Sequence, residues 1–241
     1  MYVRAVKVVF LVDFDNTLCD NDLARERLVV ATERILGAAL SHEYWRTYEA
    51  VRDERGVVDF TATEIRFHRE HPEAPGVPLD RAILDFPYDE VRYPKALDVI
   101  AGLRRAGRVV VLSDGDSVFQ PLKIRRAGVA EAVDGNVLVF AHKEEHLAEV
   151  ALLYPAERYV VIDDKAGVLA RIKLAWRERV GTVHVLQGKY ADDPYDGPRP
   201  DAVIDGIGDV LALTGTADAL GVFFEQASLH GRTIDTTGRR V

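Results

Sequence analysis

Val8-Val9-Phe10-Leu11-Val12-Asp13-Phe14-Asp15-Asn16-Thr17 is an apolar, β-branched run that stops at two carboxylates separated by one phenylalanine. Such a run reads as a strand buried on both faces of a parallel sheet. Residues two apart along a strand point to the same side, so Asp13 and Asp15 converge if the strand geometry holds that far. Like charges raise each other's pKa, which makes two acids at the mouth of a core strand costly. Two readings answer that cost: a polar strand end with solvated acids, or oxygen ligands to a hard divalent cation.

Working outward, the same design recurs. The run 108–112 is a second buried strand and ends at Ser113-Asp114-Gly115-Asp116. A short strand at 137–140 precedes Lys143, and the run 158–162 ends at Asp163-Asp164-Lys165. Further strands are expected at 182–186 and 201–205. Helical periodicity fills the gaps: Leu97, Ile100 and Leu103 before Gly107, then 119–127 closed by Gly128, 143–153, a helix ending near 176, and part of a helix at 210–213. Alternating strands and helices imply parallel βαβ units with right-handed crossovers, and so a doubly wound, Rossmann-like α/β fold.

From Asp22 to Tyr93 the pattern holds helices and loops only. Asp20-Asn21-Asp22 offers caps to a helix carrying Leu23, Leu28, Ile35 and Leu36. Ser41 is read as the N-cap of a second helix with Tyr44, Trp45 and Tyr48 on one face. A third helix spans 61–71 and ends at Pro72; after a proline- and glycine-rich loop, a short one covers 79–86. The expected organisation is an α/β core at 1–21 and 94–213, a helical insertion at 22–93, and a weakly patterned extension at 214–241. In that extension Val222-Phe223-Phe224 suggests packing, and 232–241 reads as frayed.

Composition narrows the class. The 241 residues are 48% hydrophobic and 29% charged, which is ordinary for a globular chain. A formal net charge of −8 argues against broad binding to nucleic acid or to anionic membranes, while leaving room for a local cationic pocket. Cys19 is the single cysteine, so an intrachain disulfide and a thiolate zinc site are excluded. With no signal-peptide pattern and no span-length apolar stretch, a cytoplasmic protein is expected.

Three strand ends therefore carry polar clusters, and ligands of open parallel sheets sit outside the carboxyl ends of strands. If those strands are neighbours, carboxylates, a hydroxyl and an ammonium meet at one edge. That set suits a magnesium-bound phosphate: acids hold the cation, while Ser113, Lys143 and backbone N–H groups hold phosphate oxygens. Here the sequence resembles the haloacid dehalogenase-like (HAD) superfamily. Asp13-Phe14-Asp15-Asn16-Thr17 matches its first motif, Ser113 its second, Lys143 its third and Asp163-Asp164 its fourth, in order between about residues 6 and 186.

The resemblance implies that the α/β core at 1–21 and 94–213 is catalytic, that the insertion at 22–93 is a helical cap closing over the site, and which residues take which roles. Asp13 is the nucleophile that becomes an aspartyl phosphate, and Asp15 moves protons to the leaving oxygen and from the hydrolytic water. Mg2+ is held by the Asp13 carboxylate, the Asp15 backbone carbonyl, Asp164 and Asp163, the last directly or through water. Ser113, Asp114, Gly115 and Lys143 form the substrate-binding set for a small phosphorylated metabolite. Members acting on carbon–halogen bonds lack the second Asp and need no metal, so Asp15 favours phosphoryl transfer. Val168 stands where some members carry a further acid.

Plainer readings stand beside these. Lys123 is the alternative third-motif residue, and Asp114 and Asp116 face either solvent or substrate. The pairs His142/His146 and His68/His71 read as solvated helix faces, and Arg52, Arg55, Arg66 and Arg69 as surface ion pairs more than as a grip on an anionic leaving group. Tyr44, Trp45 and Tyr48 read as packing, and Cys19 as unactivated. Functional rivals are a phosphotransferase or mutase, a receiver-like phosphate sensor, and a binding protein that has lost turnover.

Overall fold

The computed structural model describes residues 6–230. Its strands are β1 (Val6–Val12), β2 (Arg108–Asp114), β3 (Val137–Phe140), β4 (Ala156–Asp163), β5 (Val180–Val185) and β6 (Ala202–Ile204). They form one sheet in the order β3-β2-β1-β4-β5-β6, every pair parallel. This is the doubly wound, Rossmann-like arrangement that the alternation implies. In β1, Phe10 and Val12 pack into the core on one face while Val9 and Leu11 pack on the other, all fully buried. Burying each such side chain contributes about 1.5–3 kcal/mol, which is why a strand at the centre of the sheet has no polar side.

Between β1 and β2 come α1 (Asn21–Arg55), α2 (Phe60–Glu70), α3 (Gly76–Leu84) and α4 (Ala96–Ala106). Asp20 caps α1 by accepting from the Leu23 N–H at 2.8 Å, and Asp59 caps α2 by accepting from the Ala62 N–H at 2.7 Å. The break expected at Ser41 falls at Gly37, whose φ of +77° suits glycine. Ser41 instead lies inside the helix, its hydroxyl bonded to Thr32 Oγ1 at 2.8 Å, and Trp45 Nε1–H donates to the same Thr32 oxygen at 2.9 Å. Aromatic contacts run from Tyr44–Phe67 (ring centroids 5.2 Å) through Trp45–Tyr48 (5.2 Å) and Tyr48–Phe60 (5.1 Å). Phe60 then meets Phe119 at 4.4 Å and ties the helices to the sheet's own layer.

The remaining helices are α5 (Phe119–Arg126), α6 (Val129–Ala132), α7 (Leu147–Leu153), α8 (Ala166–Trp176), α9 (Val210–Thr214) and α10 (Ala217–His230). Three expectations change. Lys143 starts a 3-10 turn, Lys143–Glu145, ahead of α7 instead of starting that helix. The weakly patterned stretch after 213 contains α10, which packs through Phe223; a Cβ at Gly181 would lie 2.2 Å from that ring. His68 and His71 lean on Phe67 (5.6 and 4.9 Å between centroids) and are half-buried, not solvated. The run 232–241 lies outside the described residues. Among those residues no single helix is long and apolar enough to cross a membrane; the bent pair Ile207–Thr214 and Asp218–Ala227 reaches that length and composition together. Val210, Leu220 and Phe223 of that pair are buried in the core.

Candidate active site

The strand order reverses between β1 and β4, the place where such sheets open a crevice. Val12 pairs with Ile162, and the Asp13 N–H donates to the Ile162 carbonyl at 2.9 Å, which sets Asp13 beside Asp163. Asp13 is 4% exposed, and Asp163 and Asp164 are fully buried. One side-chain oxygen from each lies within 4.8 Å of the other two. Lys143 enters from the adjoining turn with Nζ 2.5 Å from Asp13 Oδ1 and 2.7 Å from Asp163 Oδ2, and donates to the Leu112 carbonyl at 3.2 Å. The Asp163 contact is an ion pair without hydrogen-bond alignment. Asp114 anchors that turn by accepting from the Lys143 N–H at 2.9 Å.

Two of the three acids, Asp13 and Asp163, share one buried ammonium, and Asp164 pairs with none among the described residues. Asp13 Oδ2 and both Asp164 carboxylate oxygens are buried without a hydrogen-bond partner. Burial pushes the Asp13 carboxyl up to about 7 against the pull of Lys143. Burial, with Asp13 and Asp163 adding to it, pushes Asp164 up to about 9. Burial alone would lower Lys143, but the Asp13 and Asp163 carboxylates carry it well above the usual lysine range. Orphaned, crowded carboxylate oxygens are the donor set that a hard cation satisfies, so these residues fit magnesium.

Asp15 belongs to a different cluster. The strand ends at Val12, and the Leu18 and Cys19 N–H groups turn back onto the Phe14 carbonyl at 2.9 and 3.0 Å. The alternation that would align Asp13 with Asp15 therefore stops, and the Asp15 carboxylate is not among the clustered oxygens. It is ion-paired with Lys123, and Gln120 Nε2–H donates to it at 3.0 Å. Lys123, weighed from sequence only as a substitute for Lys143, is nearly buried, donates to Asn21 Oδ1 at 2.5 Å and lies 5.4 Å from the Tyr88 ring. Gln120, which sequence reasoning missed, also donates to Ser113 Oγ at 2.9 Å. Three residues apart on α5, Gln120 and Lys123 share a helix face one step beyond the second motif, and that spacing was the available signal. A Cβ at Gly115 would lie 2.7 Å from Gln120 Cβ. Asp116 caps α5 by accepting from the Val118 and Phe119 N–H groups, so it faces the helix end and not substrate.

His184 was also missed. Its Nε2–H donates to the Asp164 carbonyl at 2.9 Å, since that oxygen can only accept, leaving Nδ1 to accept from Tyr195 OH at 2.9 Å. This fixes the loop that carries Asp164. Cys19 is buried and its thiol is pushed up to about 12 by that burial, consistent with an inert role.

A cavity of about 270 Å³ lies between the sheet edge and the inserted helices. Asp15, Asp114, Lys123, Asp164 and Lys165 line one part of it. Asp13, Ser113, Gly115 and Lys143 are buried and are not on its wall. Trp45 and Tyr48 both pack and line the cavity, as does the exposed His142, while His146 stacks on Phe140 at 4.3 Å. Of the four arginines singled out in the insertion, Arg52 alone reaches this cavity; Arg55, Arg66 and Arg69 line a separate groove.

A parallel sheet with a buried acidic triad and lysine at its switch point defines a Rossmann-like α/β protein built around an acidic centre. The profile of the haloacid dehalogenase-like hydrolases matches residues 10–162, and the chain belongs to that family. A structure described as a haloacid dehalogenase-like hydrolase from Burkholderia xenovorans LB400 is 39% identical, covers 89% of this chain and 98% of its own, and superposes with a TM-score of 0.82. A HAD hydrolase from Bacillus subtilis bound to magnesium is 18% identical over 88% of this chain and 100% of its own, with a TM-score of 0.58. The L-2-haloacid dehalogenase from Xanthobacter autotrophicus with chloropropionic acid covalently bound is 18% identical over 86% and 98%, with a TM-score of 0.57. The last two likenesses show the fold alone. A search of curated proteins returns no match.

Proposed function

We propose that this hydrolase is a magnesium-dependent phosphatase that cleaves a small phosphomonoester through an aspartyl phosphate on Asp13. The observation that carries the reading is the pair of clusters: an orphaned triad of acids with Lys143, and a second acid, Asp15, held apart by Lys123 and Gln120. Asp13, Asp163 and Asp164, with the Asp15 backbone carbonyl, would hold the metal, in keeping with the family's general use of magnesium. When bound it neutralises charge on phosphate and nucleophile.

In the first half, an Asp13 carboxylate oxygen forms a bond to phosphorus as the bond from phosphorus to the leaving oxygen breaks. Asp15 gives that oxygen its proton. In the second half, Asp15 takes a proton from water, the water oxygen bonds to phosphorus, and the Asp13–phosphorus bond breaks. Inorganic phosphate leaves and both acids are restored. Lys143 offsets the charge gathered at Asp13 throughout, and Ser113, whose hydroxyl already accepts from Gln120, would donate to a phosphate oxygen. An alcohol in place of water would make the same chemistry a transfer.

Asp13 is buried, and the helices at 22–93, which line the cavity, would shift as a cap to admit substrate. The Bacillus subtilis relative is described as revealing interdomain movement. The reading places the enzyme in the cytoplasm, acting on a metabolite without nucleic-acid or membrane partners.

The Xanthobacter relative's bound chloropropionic acid favours one second reading, dehalogenation of a haloacid. One experiment separates them. Purified protein is given phenyl phosphate or 2-chloropropionate, each with magnesium and with chelator, and phosphate and chloride are measured. Magnesium-dependent phosphate release that Asp13→Asn abolishes is the expected result. Metal-independent chloride release without phosphate release overturns the phosphatase reading.

A further inference from the structure

Resting on the phosphatase reading, we infer that Arg25, Arg52 and Lys189 form a carboxylate-binding subsite in the cavity, so the preferred substrate is a phosphomonoester whose leaving group carries a carboxylate. Arg25, Arg52 and Lys189 line this cavity together with Asp15 and Asp164, so a single small molecule in it faces both the acidic centre and these three cations.

Their charge is only partly spent within the protein. Arg25 pairs with Glu49 at 2.6 Å and Arg52 pairs with the same Glu49 at 3.1 Å, so two guanidinium groups share one carboxylate. The Lys189 ammonium pairs with no carboxylate among the described residues; Asp22 accepts only from its main-chain N–H, at 2.8 Å. Both arginines are held in place before any ligand arrives. The Arg25 guanidinium lies 4.8 Å from the Trp45 ring and 5.0 Å from the Tyr48 ring, and Arg52 donates to Tyr190 OH at 3.4 Å. Arg52 also joins the two sides of the cavity, since it sits on α1 while Tyr190 follows β5.

A guanidinium with donors to spare is a planar fork suited to a carboxylate. Trp45, Tyr48, Phe60 and Phe119 line the same cavity and offer apolar wall to the body of the leaving group. A cavity of about 270 Å³ suits a leaving group of roughly one ring or a short chain, not a large polymeric one. Arg25, Arg52 and Lys189 stand against the single carboxylate of Glu49 in a chain whose net charge is −8, a local excess that an anionic ligand would offset.

The test compares phenyl phosphate with 4-carboxyphenyl phosphate, whose difference is the carboxylate. With wild type and magnesium, kcat/KM should favour the carboxylated ester about tenfold. Arg52→Gln should remove most of that ratio, chiefly through KM, and Arg52→Lys should restore part of it. Because the readout is a ratio of two substrates on one preparation, a partly misfolded variant lowers both values and leaves it unchanged. Equal kcat/KM for the two esters in wild type, or an undiminished ratio in Arg52→Gln, overturns the subsite. If neither ester is hydrolysed, the phosphatase reading fails separately, and calorimetric titration of both esters decides the subsite: tighter binding of the carboxylated ester that Arg52→Gln abolishes supports it, and equal affinity overturns it.

Discussion

The sheet edge and the inserted helices meet at one cavity, yet they are built on opposite principles. At the edge, charges are buried against one another: Asp13, Asp163, Asp164 and Lys143 have almost no contact with water. In the insertion, order comes from edge-on aromatic rings, and most charges sit in exposed pairs such as Arg27–Glu90. The first arrangement concentrates electrostatic energy in a small volume. The second supplies shape.

That contrast can be broken from the edge outward. Asp13→Asn should cut the catalysed rate by about 10³-fold or more, since the attacking oxygen is removed, and phosphate release under saturating phenyl phosphate reads it. Lys143→Met should cost about 3–5 kcal/mol in urea melts without magnesium, because Asp13 and Asp163 lose their buried partner. Lys123→Met is the sharper comparison. Asp15 is partly open to solvent, so the stability cost should be about 1–2 kcal/mol, while kcat falls more than KM changes.

Within the insertion, Glu64 departs from the pattern of exposed charge. Burial, then a hydrogen bond and like-charge contact with Asp80, pushes its carboxyl up to about 9 from an ordinary 4.5. The folded state therefore holds a proton that the unfolded state releases. Its contribution is complete below about 4.5 and is lost as pH rises through about 9. Glu64→Gln keeps a donor without titrating, so its melting temperature relative to wild type should climb by a few degrees between pH 5 and pH 9. An unchanging difference across that range would refute the assignment. The smallest effect should come from Arg27→Gln, which removes an exposed pair and should shift stability by less than about 0.5 kcal/mol in the same melts.

Much of the edge was legible before any coordinates. A strand buried on both faces must be apolar throughout, so the residue where polarity begins marks the strand's carboxyl end, and Asp13, Ser113 and Asp163 announce themselves this way. The insertion gave weaker signals because helical periodicity tells which residues are buried but not what they face. Trp45 and Tyr48 read as packing and do pack, yet they also wall the cavity; Arg52 reads like its neighbours Arg55 and Arg66 and is not placed like them. The helix α10 escaped notice because its partner surface, Gly181 on β5, is remote in sequence.

By itself, then, the sequence determined the parallel α/β layering, the strand ends that carry acids, and the lysine that follows the third strand. Those features depend on local polarity and on the short-range rule that sheets bury both faces. Only the tertiary structure decided that Asp15 parts from Asp13 and takes Lys123 and Gln120 as partners. A chain that leaves strand geometry after Val12 no longer obeys strand alternation, and the partners that the Asp15 carboxylate then meets come from α5, more than a hundred residues away.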